Sequence, residues 1–241
     1  DNTQAKFAII YNKDEHIVGR TANYMGYDAL GIGENDIQFG EKIYKNRMPK
    51  WFESPIVCAN AIDIRTGKPM FQPYAIVKRG GFKVAVIGLT SPNMRDWLTP
   101  IAYEHIHFEE LDEAAAKWIA EVKANEKPDL IIGLFHIKSS TVKELLSKVS
   151  GFDLVMCGQD HVGFCDYVKD ASGKEIAVVQ PLPRCEEVGQ AKLHLKKRAD
   201  DTYDIKSTIE RVPMNTVKPS EAYSATFNNE IARINNYLDE P

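Results

Sequence analysis

The chain has no cysteine pair in CxxC form and no zinc-finger spacing among its four cysteines, Cys58, Cys157, Cys165 and Cys185, which excludes a zinc-finger framework. For Cys165 and Cys185 two readings stand, a disulfide in an exported protein and a pair of buried or free thiols. No apolar run approaches the roughly 20 residues that cross a bilayer, so no transmembrane segment is expected. Asp1-Asn2-Thr3-Gln4 has neither the basic n-region nor the apolar h-region of a signal peptide. Basic surplus is also missing. A formal net charge of −4 argues against a partner that is a nucleic-acid polymer, which requires a basic face. An anionic small substrate would then need positive charge supplied locally, as metal ions can do. Internal repeats and low-complexity segments are absent as well.

What remains is the composition of an ordinary globular protein, 44% hydrophobic and 27% charged over 241 residues. That length suits one large domain, or one domain and a tail. Short apolar runs alternate with amphipathic stretches, the pattern of an α/β layered domain. Strands are expected at Phe7–Tyr11, Tyr27–Ile32, Ile56–Ile62, Leu130–Phe135, Leu154–Cys157, Ile176–Gln180 and Gln190–Leu195. A hairpin is expected from Tyr74 to Leu89, turning at Gly80-Gly81, where positive φ is easy. Helices are expected over Asp14–Tyr24, Phe108–Glu126, Thr141–Val149 and Ser220–Leu238. His105 and His107 alternate as a metal pair on one strand face would, but a solvated loop is the favoured reading. Past Lys197 the sequence turns polar and reads as a linker.

Three strand ends deliver polar residues in sequence: Gly33-Glu34-Asn35-Asp36, Phe135-His136 and Gly158-Gln159-Asp160-His161. Open α/β sheets place ligands beyond the carboxyl ends of their strands. Histidines and carboxylates gathered there suit hard or borderline divalent ions.

Tyr24-Met25-Gly26-Tyr27-Asp28-Ala29-Leu30 followed by Gly33-Glu34-Asn35-Asp36 resembles the "MGYDA" segment that precedes Gly-Asn-His-Glu/Asp in the calcineurin-like metallophosphoesterases. The branch is that of the 5′-nucleotidases and 2′,3′-cyclic-nucleotide phosphodiesterases. The run Val84 to Pro92 is similar to that family's next strand and turn. Asp129 to His136 resembles its strand ending in a metal-binding histidine, and Asp153 to His161 its strand ending in Gly-His-x-His. Order and spacing agree over about residues 1 to 196.

The resemblance implies a four-layer α/β/β/α sandwich with mixed sheets, and hydrolysis of phosphoester bonds in nucleotides or similar small phosphates. It implies divalent ions, zinc, manganese or similar, up to two, clamping an in-line attack on phosphorus. Asp1, Glu34, His136 and His161 are the implied metal-site residues, Asp1 by likeness of Asp1-Asn2-Thr3-Gln4 to the tail of a Gly-Asp-x-x-Gln motif. Asn35 stands where the family has its catalytic histidine, and an amide donates a hydrogen bond without moving a proton. Gln159 replaces a ligand histidine. Asp160 either compensates for it or caps a turn. Arg184 lies where a phosphate contact would fit, or is plain soluble surface.

The family's opening Asp-x-His strand would lie upstream of Asp1, so the resemblance implies strands missing at the N-terminal edge. Residues 1–197 are read as the metallophosphoesterase domain, and 198–241 as linker and helix leading towards an absent C-terminal nucleotidase domain. The resemblance also implies a periplasmic or cell-surface location. With three site positions substituted, a catalytically degenerate ligand-binding or structural module stands beside the enzyme.

Overall fold

The protein is described by a computed structural model, and the residues it describes are 16–199 and 203–232. The strand expected at Phe7–Tyr11 and the candidate ligand Asp1 lie outside these residues. Helices α1 (Ile17–Met25), α2 (Glu34–Ile37), α3 (Glu41–Asn46), α4 (Met48–Trp51) and α5 (Pro100–Tyr103) are short. The two longest are α6 (Leu111–Asn125) and α7 (Ser139–Lys148), and α8 (Glu221–Thr226) follows near the end. The strands are β1 (Leu30–Gly31), β2 (Ile56–Val57), β3 (Ala61–Asp63), β4 (Lys68–Pro69), β5 (Tyr74–Arg79), β6 (Phe82–Thr90) and β7 (Ile106–Phe108). They continue with β8 (Leu130–His136), β9 (Leu154–Gly158), β10 (Phe164–Lys169), β11 (Glu175–Gln180), β12 (Glu187–Lys197) and β13 (Tyr203–Pro213).

The centre is a six-stranded mixed sheet in the order β10-β11-β9-β8-β6-β5. Its inner strands β6, β8, β9 and β11 run parallel, and the edges β5 and β10 pair antiparallel. Parallel strands are apolar on both faces because both faces are covered. On one face α6 and α7 lay Ala115, Ile119, Val122, Leu145 and Leu146 against Ile87, Leu89, Ile131, Phe135 and Val155. On the other, Val84, Val86 and Leu130 meet Leu193, Leu195 and Ile205 of the β12–β13 ribbon. The result is the expected α/β sandwich with mixed sheets. Ribbon strands β12 and β13 bond to each other along their whole length and form a separate sheet.

Three local expectations differ from the structure for identifiable reasons. The run Ile56–Ile62 breaks into β2 and β3 because the chain crosses the sheet there. Cys58 N–H donates to Gln72 O at 2.8 Å and Ala59 N–H to Gly88 O at 2.8 Å. A side chain at Gly88 would put its Cβ 2.3 Å from Val57 O, so only glycine lets the two backbones touch. His105–His107 is not a loop: Ile106 and Phe108 are buried and His107 is exposed, in strand β7 paired with β3. Residues 203–213, read as linker, form β13, whose alternating pattern is hidden by the many charged residues on its outer face.

The helix expected from Ser220 begins at α8, where Ser220 Oγ accepts the Tyr223 N–H at 3.2 Å. Phe227 packs back on the domain, buried beside the edge of Tyr24 at 5.6 Å. All four cysteines are free thiols. Cys58 and Cys157 are in the core, where burial pushes each up to about 12.

Asn60 is fully buried and satisfied on both sides of its amide. Its Nδ2 donates to Thr90 O at 2.8 Å and Glu109 O at 3.3 Å, and its Oδ1 accepts Thr90 N–H at 3.0 Å. Asn60→Ala would strand both backbone groups of Thr90 away from water. It should lower stability by about 2–3 kcal/mol, read as a lower urea midpoint with unchanged slope.

A charged network joins the half-exposed Arg65 and Lys45 to Glu41 and the buried Asp63. Arg65 bridges Glu41 and Asp63 at 2.6 and 2.7 Å, and Lys45 reaches Glu41 at 3.1 Å. The Arg65 hydrogen bond pulls Glu41 down to about 2, from an ordinary 4.5, and holds Asp63 well below the usual carboxylate range. Depressed carboxylates stabilise above their unfolded pKa and lose that contribution as pH falls through the folded value. Arg65→Met should therefore destabilise the protein at pH 7, and its deficit should shrink steadily below about pH 4.5 in denaturation series.

Candidate functional site

Residues Thr90, His136 and Gly158 stand side by side at the carboxyl ends of β6, β8 and β9, in direct register. Alternation along β8 sends Phe135 into the helix-side core and leaves His136 half-buried at the strand end. Ser91 N–H donates to His136 O at 3.0 Å, which fixes the backbone of that residue.

Opposite, the chain leaves β1 through Gly33 into the single turn α2. Gly33 N–H donates to Asp36 Oδ2 at 2.8 Å, the reciprocal half of a helix-start clasp. This turn presents Glu34, whose Oε2 lies 2.5 Å from His136 Nε2. The side chains are 29% and 27% exposed, enough for solvent or a ligand to reach both. A Cβ on Gly33 would fall 3.0 to 3.2 Å from three atoms of the His136 ring, so the imidazole lies against bare backbone.

Both groups face a cavity of about 400 Å³, lined by Gly33, Glu34, Asn35, Asp36, His136 and Gly158, with Leu134, Met156 and Val179 on its apolar side. Burial pushes the Asp36 carboxyl up, against the opposing pull of the Gly33 amide and His136. Asp36 is the lining residue that sequence reasoning gave no separate role. Its signal was an acid three positions after the glycine that starts a helix.

The other expected residues are placed unevenly. Asn35 lines the cavity and is exposed, its Oδ1 accepting from Gln38 Nε2 at 3.2 Å. His161 is exposed, at φ +58°, and is not among the residues lining the cavity. Gln159 follows Gly158, and both polar atoms of its amide are buried without a hydrogen-bond partner. Asp160 caps α7: its Oδ2 accepts the Ser139 N–H at 3.1 Å and the Ser139 hydroxyl at 3.0 Å, and its Oδ1 accepts from Gln180. Burial would raise this carboxyl, but the bonds from Gln180 and Ser139 outweigh it and hold the group below its ordinary value. Of the two readings of Asp160, the turn cap is the one with partners. Arg184 is exposed in the turn before β12, at φ +56°, away from the cavity lining.

The donor set fits a divalent cation in kind, one carboxylate oxygen and one imidazole nitrogen converging, and Gln159, next in sequence to the lining residue Gly158, carries an orphaned buried amide. Among the described residues no group of three or more His, Cys, Asp or Glu side chains gathers as a cage. No helix is long and apolar enough to cross a membrane among the described residues.

Comparison with known proteins gives the same direction. No family model matches the chain. It is 40% identical over 114 residues to the 5′-nucleotidase of Vibrio cholerae serotype O1, a match covering 47% of this chain and 20% of that protein. It is 28% identical over 167 residues to the 2′,3′-cyclic-nucleotide 2′-phosphodiesterase/3′-nucleotidase of Yersinia enterocolitica, covering 62% of this chain and 25% of the relative. The chain thus spans about a fifth to a quarter of these relatives' length. In fold it matches the calcineurin-like phosphoesterase YfkN of Bacillus subtilis with a TM-score of 0.83, over 98% of this chain and 80% of that one, at 23% identity.

The contact at Gly33 yields a direct test. Gly33→Ala should push the His136 ring from Glu34 while the fold survives. In NMR spectra the His136 ring resonances should move and those of His194 stay.

Proposed function

We propose that this chain, a calcineurin-like phosphoesterase in fold and akin in sequence to the metallophosphatase domain of the 5′-nucleotidases, hydrolyses phosphoester bonds in nucleotides or similar small phosphates. The observation that carries the proposal is the convergence of Glu34 and His136, 2.5 Å apart, on a cavity of about 400 Å³ beyond the ends of the parallel strands. A cavity of that size accepts a small phosphorylated molecule.

Glu34 and His136 would hold a divalent cation, zinc, manganese or similar. Asp1, outside the described residues, is the further bridging candidate, and up to two ions are proposed. Such a cation supplies polarisation of the phosphoryl oxygens and an activated water. The chain's own residues supply the positioning. Gly33 and the Ser91 amide hold His136 in place, so its ring nitrogen is preoriented. Asn35 would donate an amide hydrogen bond to a phosphoryl or leaving-group oxygen, which stabilises charge without transferring a proton. Gln159 would offer its unpaired amide to the same ligand. His161 and Arg184 enter only if the loops carrying them close over the cavity. A periplasmic or cell-surface location belongs to the same proposal and rests on the family resemblance.

A second reading is favoured by two placements, Asn35 at the position of a proton donor and His161 exposed outside the cavity lining. It is a degenerate ligand-binding or structural module with the same fold. Metal content by plasma mass spectrometry, together with turnover of AMP and 2′,3′-cyclic AMP, separates the two. The first reading expects bound transition metal in chelator-free protein, and a loss of turnover of about a hundredfold in His136→Ala. Protein that takes up neither zinc nor manganese and turns over neither nucleotide leaves the second reading standing.

A further inference from the structure

Gln180 is the last residue of β11 and is 1% exposed, a buried polar side chain between two residues of the cavity wall, Val179 and Pro181. Its Nε2 donates to the Asp160 carboxylate, and to Val162 O at 2.6 Å. Its Oε1 is buried with no hydrogen-bond partner. A buried acceptor left unpaired destabilises a fold, and an apolar side chain of the same length would not carry one. Val162 is exposed and Asp160 half-buried, so water can serve both acceptors in its place. Folding stability alone thus gives little reason for a glutamine here, and its two contacts give a better one.

Both contacts fall on one turn. Strand β9 ends at Gly158, which lines the cavity and stands in register with His136. Three residues on, His161 has φ +58°, in the left-handed region that a non-glycine residue keeps where its neighbours hold it. Asp160 Oδ2 ties the turn to the start of α7, accepting the Ser139 N–H at 3.1 Å and its hydroxyl at 3.0 Å. Gly163 then lies bare against the Arg211 guanidinium, where a Cβ would fall 1.6 Å from Nη1. Gln180 is the tie that bonds on both sides of His161, one residue before it and one after.

We propose that Gln180 is a positioning residue of the Glu34–His136 site: by gripping residues 160 and 162 it fixes the turn 158–162, and with it the place of Gln159 beside the cavity wall at Gly158. The inference rests on the phosphoesterase reading, in which Gln159 offers its amide to a phosphate ligand. Gln180 touches no ligand in it and acts through the turn. A turn already held in one conformation presents its contacts without being ordered at the moment of binding, whereas a released turn weakens the ligand by that ordering. The same grip keeps His161 where it stands, outside the cavity lining.

The test compares the full-length wild type with Gln180→Met, which keeps the length of the side chain and removes both donors. Backbone amides of residues 159–162 should exchange hydrogen about tenfold faster, with those of β8 and β9 unchanged. Affinity for inorganic phosphate, titrated calorimetrically with manganese present, should weaken about tenfold. KM for AMP should rise by a similar factor, with kcat lowered far less, because the turn holds ground state and transition state alike. Asp160→Ala should weaken phosphate as well, and the double variant should weaken it by less than the two separate effects multiplied, since both act on one turn. Unchanged exchange in the turn overturns the proposal. So does faster exchange spread evenly over the sheet, which is the mark of a purely structural residue, or a loosened turn with unchanged phosphate affinity. A wild type that neither binds phosphate nor turns over AMP overturns the phosphoesterase reading instead, and exchange in the turn then decides by itself whether Gln180 holds it.

Discussion

One buried amide holds the working end of this molecule together. Asn60 sits where the chain crosses the sheet, and it takes both backbone groups of Thr90 and the carbonyl of Glu109. Thr90 is the register partner of His136, and Ser91 bonds the His136 carbonyl. The backbone of His136 is thus tied, through Ser91 and Thr90, to a segment braced by a residue distant in the chain. A side chain satisfied at every polar atom in a dry interior is rigid because each alternative arrangement leaves a group unpaired. The crossing it braces is possible only because Gly88 has no side chain under Val57.

From that anchor packing brings the two halves of the site together, and Glu34 and His136 then meet directly at 2.5 Å. The cluster of Ile32, Ile37, Met48, Trp51, Met94, Ile106 and Phe108 fixes the turn that carries Glu34. The main core fixes β8 and with it His136. Each half is held by its own apolar contacts, and the pair closes where the halves touch, at Gly33 against the ring. Exposed ion pairs such as Arg65 with Glu41 add to the surface and contribute little to this geometry.

Much of this was legible in the residues. The inner strands read as continuous apolar runs, the hairpin as a Gly-Gly turn, and α6 as an amphipathic run with acids at its start, because each depends on local chemistry. The pairing of Glu34 with His136 was legible only as two polar strand ends. What stayed hidden was decided at long range. Strand β13 hides its alternation behind charged residues, and β7 hides behind two histidines that read as solvated. Asp160 read equally well as ligand or cap until Ser139 and Gln180 were placed beside it.

Positions 33 and 35 are neighbours in the same turn, and the fold treats them in opposite ways. A methyl group at 33 meets an aromatic ring, whereas Asn35 is an exposed residue of the cavity lining whose Oδ1 accepts from the half-buried Gln38. Replacement of a solvated side chain typically changes folding free energy by less than about 0.5 kcal/mol. The architecture is thus indifferent to the identity of residue 35. Chemistry at that spot can be gained or lost in a single mutational step that folding does not oppose, so the scaffold and its reactivity are separately heritable.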